Sequence, residues 1–178
     1  MRKAMIILAD GFEEVEAIGV ITILRRAEIS VTIVGLVSTV VEGFSGIKII
    51  ADRRITEVDP NSFDMLILPG GPAYKKLENS KNVIDIIKRF DQKKKFIAAI
   101  GFAPIVLAKA GILEDRIVTV FPGYEKEVPR PREASIIVDR NVITAQGTST
   151  TLLFALKLVE ILASKRTAEK IKKQMVIR

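Results

Sequence analysis

Short aliphatic runs alternate along the chain with stretches of helical spacing, the pattern of strand-helix-strand units that build a mainly parallel sheet. Met5 to Leu8, Ser30 to Val34, Met65 to Leu68 and Phe96 to Ile100 are too short for helices and end near glycine, proline or aspartate, so they predict strands. Between the first two lies a helix ending near Arg26. Glu13, Glu14 and Glu16 crowd its start and Arg25 and Arg26 its end, the order of charge that suits the helix dipole. Val15, Ala17, Ile18, Val20, Ile21, Ile23 and Leu24 cover nearly its whole circumference, and a helix apolar all round is buried on more than one side. One side faces the sheet. The expectation for the other is a second copy of the chain, giving a homodimer through this first helix, with neighbouring helices or a hairpin as the alternative cover.

Thr39 to Val41 and Ile47 to Ile50 flank Glu42-Gly43-Phe44-Ser45-Gly46, a glycine-bearing hairpin signal rather than a crossover helix. Helical spacing returns from Lys81 to Lys93 through Val83, Ile84, Ile87 and Phe90, and from about Phe102 to Ala110, where Pro104 suits a first turn and Gly111 a stop. Ile117 to Val120, Ser135 to Val138 and Val142 to Thr144 predict shorter strands. A long helix from about Thr148 to Leu162 and a basic terminal helix close the chain. Its 178 residues suit one domain of ~150, with no repeat or linker. The fold class is therefore α/β: a flavodoxin-like, doubly wound, mainly parallel sheet with helices on both faces and a small antiparallel hairpin, residues 1–178 forming a single domain.

Composition narrows the chemistry. The chain has no cysteine and no histidine, which excludes disulfides, thiolate nucleophiles, iron-sulfur clusters, thiolate zinc sites and both Ser-His-Asp and Cys-His catalysis. No metal and no cofactor is expected. The apolar run Ala4 to Ala9 is too short for a secretory signal, and no run approaches the ~20 residues that span a bilayer, so a cytoplasmic protein without membrane contact is expected. The net charge of +7 is concentrated at the end: Lys165, Arg166, Lys170, Lys172, Lys173 and Arg178 face only Glu169 between Ser164 and Arg178. No aromatic interleaving accompanies these cations, so they read as a solvated helix end rather than a nucleic-acid surface. Few Gln, Asn and Met among many Lys, Arg and Glu match the bias of thermostable proteins.

In open α/β sheets, ligands bind beyond the carboxyl ends of the strands, here the loops Ala9 to Glu16, Pro69 to Pro72, Ile100 to Pro104 and the stretch after Val120. Asp10-Gly11-Phe12 is not a dinucleotide fingerprint, and no phosphate-binding Gly-Lys-Ser/Thr loop exists. Ile-Leu-Ala-Asp-Gly-Phe-Glu-Glu-Val-Glu (Ile7 to Glu16), Leu-Pro-Gly-Gly (Leu68 to Gly71), Ala-Ala-Ile-Gly-Phe-Ala-Pro (Ala98 to Pro104) and Gly-Thr-Ser-Thr-Thr leading into Phe-Ala-Leu (Gly147 to Leu156) together resemble the ThiJ/PfpI superfamily across essentially the whole chain. The resemblance implies a glutamine amidotransferase-like fold and a cysteine carried on a sharp strand-to-helix elbow after Ile100.

This chain departs from that pattern. Gly101 stands at the elbow, Phe102 and Phe121 at the two positions where the family places its histidine, and Ala103 where it has a glycine. An elbow with positive φ costs a side-chain-bearing residue ~1–2 kcal/mol, which glycine avoids while removing the nucleophile. Glu16 matches the family's acidic residue and is the candidate acid or base; its alternative role is a dipole-stabilising first-turn glutamate. Gly70 and Gly71 match a loop whose N–H groups form an anion site, or else serve a tight turn. Thr148, Ser149, Thr150 and Thr151 either offer hydroxyls to the crevice or cap the long helix, and Tyr124 is a candidate pocket wall.

Three functions fit these residues. The first is a homodimeric, stress-associated or ligand-binding protein without the family's covalent machinery, whose crevice holds a small polar or carboxylate molecule noncovalently. The second is a hydrolase or lyase of glyoxalase, deglycase or peptidase type that uses Glu16 and a bound water. The third is a holdase chaperone exposing an apolar patch.

Overall fold

The computed structural model describes residues 2–177; Met1, and Arg178 of the basic C-terminal stretch, lie outside them. Nine strands and six α-helices follow one another among these residues: β1 (Lys3–Leu8), α1 (Glu14–Arg26), β2 (Ser30–Gly35), β3 (Val40–Glu42), β4 (Lys48–Ile50), β5 (Arg53–Arg54), β6 (Met65–Leu68), α2 (Tyr74–Glu78), α3 (Lys81–Gln92), β7 (Phe96–Ile100), α4 (Pro104–Lys109), β8 (Ile136–Asp139), β9 (Val142–Ala145), α5 (Thr151–Leu162) and α6 (Lys165–Gln174).

Seven strands form one sheet in the order β5-β2-β1-β6-β7-β9-β8, while β3 and β4 pair separately as the antiparallel hairpin. All sheet pairings are parallel except β8 with β9. The four central strands are buried on both faces, which is why they read as unbroken aliphatic runs rather than alternating ones. Chain order runs outward in opposite directions from the β1/β6 boundary. Right-handed crossovers therefore send α1 to one face and α3 and α4 to the other. Helix α5 packs beside α1 and α6 beside α5, completing the first layer. The carboxyl ends of β1 and β6 part at that boundary, the switch point where such folds place a ligand crevice.

Three details differ from the sequence expectation. Ile117 to Val120 is extended but forms no strand: the Ile117 N–H binds the Asp139 carboxylate, the Thr119 N–H binds Thr144 Oγ1 at 3.0 Å, and Val118 makes one isolated bridge to Pro131, which has no N–H to continue a ladder. Helix α4 begins at Pro104, because the positive φ of Gly101 sets a turn through Phe102 and Ala103 first. Thr148 to Thr150 form a 3-10 turn in which the Thr150 hydroxyl binds back to the Gly147 carbonyl at 2.7 Å, so α5 starts at Thr151.

The first helix is only partly covered. Ala17, Val20, Ile21, Ile23 and Leu24 are buried, whereas Val15 and Ile18 stay exposed at 53% and 40%. Glu14 is buried beneath the hairpin, its Oε1 accepting the Ser45 N–H at 2.7 Å. That contact fixes the hairpin over the start of α1. It also requires Gly43, since a Cβ there would lie 2.3 Å from the Glu14 carboxylate.

Candidate functional site

The sharp turn after β7 carries the elbow. Gly101 adopts φ +64°, its N–H donates to the Ala145 carbonyl and its carbonyl accepts the Phe121 N–H, each at 3.0 Å. The elbow conformation is thus present although no side chain projects from it. A Cβ on Gly101 would fall 2.9 and 3.0 Å from the two carboxyl oxygens of Glu16, so the acid occupies the space that a side chain at the elbow would need.

Glu16 is held from three directions. Its N–H is capped by the Glu13 carboxylate at 2.8 Å, its Oε2 accepts the Gly70 N–H at 2.7 Å, and its Oε1 lies 3.1 Å from the Thr148 hydroxyl. The loop comes this close because Gly70 has no Cβ: one would stand 2.6 Å from Oε2. Only 2% of Glu16 is exposed. Burial pushes its carboxyl up from 4.5 to about 7, reinforced by the nearby Glu13 charge and opposed by the Gly70 and Thr148 hydrogen bonds. Glu16 therefore exchanges its proton near neutrality and serves there as donor or acceptor. A solvated first-turn glutamate would not.

Backbone donors border the acid. The N–H groups of Gly71 and Phe102 find no partner among the described residues. Phe102 N lies 3.1 Å from the point a Cβ on Gly70 would occupy, so the elbow and the glycine loop approach closely there. Unpaired backbone donors of this kind suit an oxyanion or carboxylate.

Aromatic rings form the outer wall. Phe102 stacks on Phe121 with centroids 4.6 Å apart, Tyr124 stands edge-on to Phe102 at 4.8 Å, and Tyr74 stacks on its other side at 5.4 Å. The Phe121 ring also lies against Gly147, where a Cβ would meet it at 3.3 Å and Glu16 Oε1 at 3.8 Å. Phe121 and Glu16 thus both approach Gly147. The wall gives this side of the site apolar character.

Of the residues singled out from sequence, Glu16, Gly70, Gly71, Gly101, Phe102, Phe121, Tyr124 and Thr148 converge here. Ser149 does not; it is exposed and makes no side-chain hydrogen bond among the described residues. The capping expectation also needs revision, since Thr148 turns to Glu16 and no side chain caps α5. Tyr74, Glu13 and Gly147 were not singled out for the site. Tyr74 sits on a five-residue helix too short to show a period, and the other two act through a cap and a close approach that only tertiary packing creates.

Comparison with known proteins bears on the fold and the family. The chain is 31% identical over 182 residues to protein dj-1beta of Drosophila melanogaster, spanning 99% of this chain and 97% of that one. The crystal structure of Drosophila DJ-1beta superposes with a TM-score of 0.96 at 32% identity, covering 99% and 98% of the two chains. A glutathione-independent glyoxalase of Caenorhabditis elegans is 29% identical over 165 residues, 90% of this chain and 89% of that protein. Protein DJ-1 homolog A of Arabidopsis thaliana is 30% identical over 184 residues, 99% of this chain but 47% of its own length, so the chain spans about half of that relative. No helix among the described residues is long and apolar enough to cross a membrane. The profile of the DJ-1/PfpI family matches residues 2–161, and the chain belongs to that family.

Proposed function

We propose that this protein binds a small polar or carboxylate molecule noncovalently at the Glu16-Gly101 site and does not perform covalent chemistry there. The observation that carries this reading is the elbow: its backbone keeps φ +64° while the Glu16 carboxyl fills the place of a side chain. Protonated Glu16 together with the free Gly71 and Phe102 N–H groups supplies donors for one carboxylate, and Phe102, Phe121 and Tyr124 supply an apolar wall for its carbon skeleton. Titration with glycolate followed by amide NMR tests the binding, and methylglyoxal consumption with intact-mass analysis tests the chemistry. Saturable shifts at Gly71 and Phe102, with neither turnover nor adduct, are expected.

One observation favours a second reading. A carboxyl that titrates near 7 is suited to general acid-base work on a bound water, the type of role a glyoxalase or deglycase without a thiol would require. Methylglyoxal consumption that survives rigorous purification and disappears in Glu16→Gln would favour this reading over the first.

We also infer a homodimer. Val15 and Ile18 of α1, Phe44 and Ile47 of the hairpin and Leu152 and Leu153 of α5 are exposed apolar side chains on neighbouring elements. Gly19 permits the close approach of α5, where a Cβ would stand 2.8 Å from Thr151 Cγ2. Burying this group against a second copy accounts for the apolar outer side of α1. Sedimentation velocity at micromolar concentration should give a dimer mass; a monomer would refute the inference.

A further inference from the structure

A second recess lies beside the carboxyl ends of β1 and β2, apart from the Glu16 site. It encloses about 200 Å³ between apolar Leu8, Ala9, Leu36 and Val41, with Asp10 and Lys76 among its lining. The same two charged residues line an adjoining opening toward Gly11, Glu42 and Gly43, so both charges border the entrance. Neither is neutralised among the described residues. Among the described residues Lys76 and Asp10 enter no ion pair, and Asp10 Oδ1 is engaged only by the Glu42 N–H at 3.0 Å. Val37 and Val40 lie at the same recess and are exposed, leaving its apolar lining open to an occupant.

Charge and size together select the occupant. A neutral apolar molecule leaves both charges unmatched, an anion meets Asp10 and a cation meets Lys76. A zwitterion answers both, provided its ammonium and carboxylate sit close together on one end of an aliphatic body. The volume falls below the ~300–1,000 Å³ of drug-sized ligand pockets, which excludes nucleotides and leaves molecules of about ten heavy atoms. We propose that this recess binds a small aliphatic α-amino acid, with its carboxylate toward Lys76, its ammonium toward Asp10 and its side chain against Leu36, Val37 and Val40. The position beyond the ends of adjacent parallel strands is one that open α/β sheets use for ligands. The proposal is independent of the function assigned to Glu16.

L-Leucine titrated into the intact protein and followed by amide NMR is the direct test. Saturable shifts at Leu36, Val41 and Lys76 are expected, with a dissociation constant on the order of 1 mM or tighter. The analogues 4-methylpentanoate, which lacks the amine, and isoamylamine, which lacks the carboxylate, should each bind about three- to fivefold more weakly, the discount expected for partly exposed charges. Lys76→Met and Asp10→Asn should weaken leucine to the same extent, the asparagine keeping an acceptor for the Glu42 N–H. The analogue comparison uses the unaltered chain, so it stands even where a variant misfolds. Absence of saturable shifts, shifts confined to Gly71 and Phe102, or equal binding of leucine and its two analogues would each overturn the proposal.

Discussion

Replacing Glu16 by glutamine should make the protein more stable in alkaline solution and leave it nearly unchanged in acid. The carboxyl titrates at about 7 in the fold against 4.5 when unperturbed. Because the folded value is raised, Glu16 contributes stability that is fully present below 4.5 and is lost as the pH rises through about 7. At about 1.4 kcal/mol per pH unit, the interval represents roughly 3 kcal/mol. Glutamine is the isostere of the protonated acid: its carbonyl can accept the Gly70 N–H and its amide can donate to the Thr148 hydroxyl, so the two contacts of Glu16 are retained. Denaturant unfolding of the wild type and Glu16→Gln at pH 5 and pH 8.5 isolates the effect, since every other titrating group is common to both proteins. The gap should open by about 2–3 kcal/mol between the two pH values, which for a chain of this size moves the melting temperature by about 4–12 °C. A gap that stays constant with pH, or a variant destabilised equally at both, would refute the burial argument.

Gly101→Ala should destabilise by about 2 kcal/mol, because it combines a positive φ with a Cβ placed against the Glu16 carboxyl, and the Gly70 amide resonance should move as its acceptor is displaced. Phe121→Ala should admit water near Glu16 and lower its titration midpoint from about 7 toward 4.5, read by carboxyl NMR. Ile18→Asp should weaken self-association roughly tenfold or more by sedimentation, with little change in the unfolding of the monomer, since Ile18 is exposed within one chain.

The framework was legible in the sequence because its elements obey simple periodicities. Buried parallel strands such as β1 and β6 need aliphatic side chains on both faces, and α3 needs an apolar stripe, which Val83, Ile87 and Phe90 supply. Glu16, Gly70 and Gly101 were legible through resemblance and glycine placement. What escaped was tertiary in origin. The segment around Val118 has strand-forming residues, yet its amides are taken by Asp139 and Thr144 side chains brought from more than twenty positions away. Thr148 looks like a helix cap in sequence, and only the approach of α1 gives its hydroxyl a carboxyl to meet. Glu14 resembles its neighbours Glu13 and Glu16 in pattern, but the hairpin folds over it and makes it a buried anchor.

An acid, not a thiol, stands at the centre of this site, and its proton is retained to about neutral pH. Following the side-chain carboxyl of Glu16 by carbon NMR from pH 4 to pH 9 reads that proton directly. A midpoint near 7 that shifts when glycolate is added is the predicted result. A midpoint near 4.5 with no response to glycolate would contradict it.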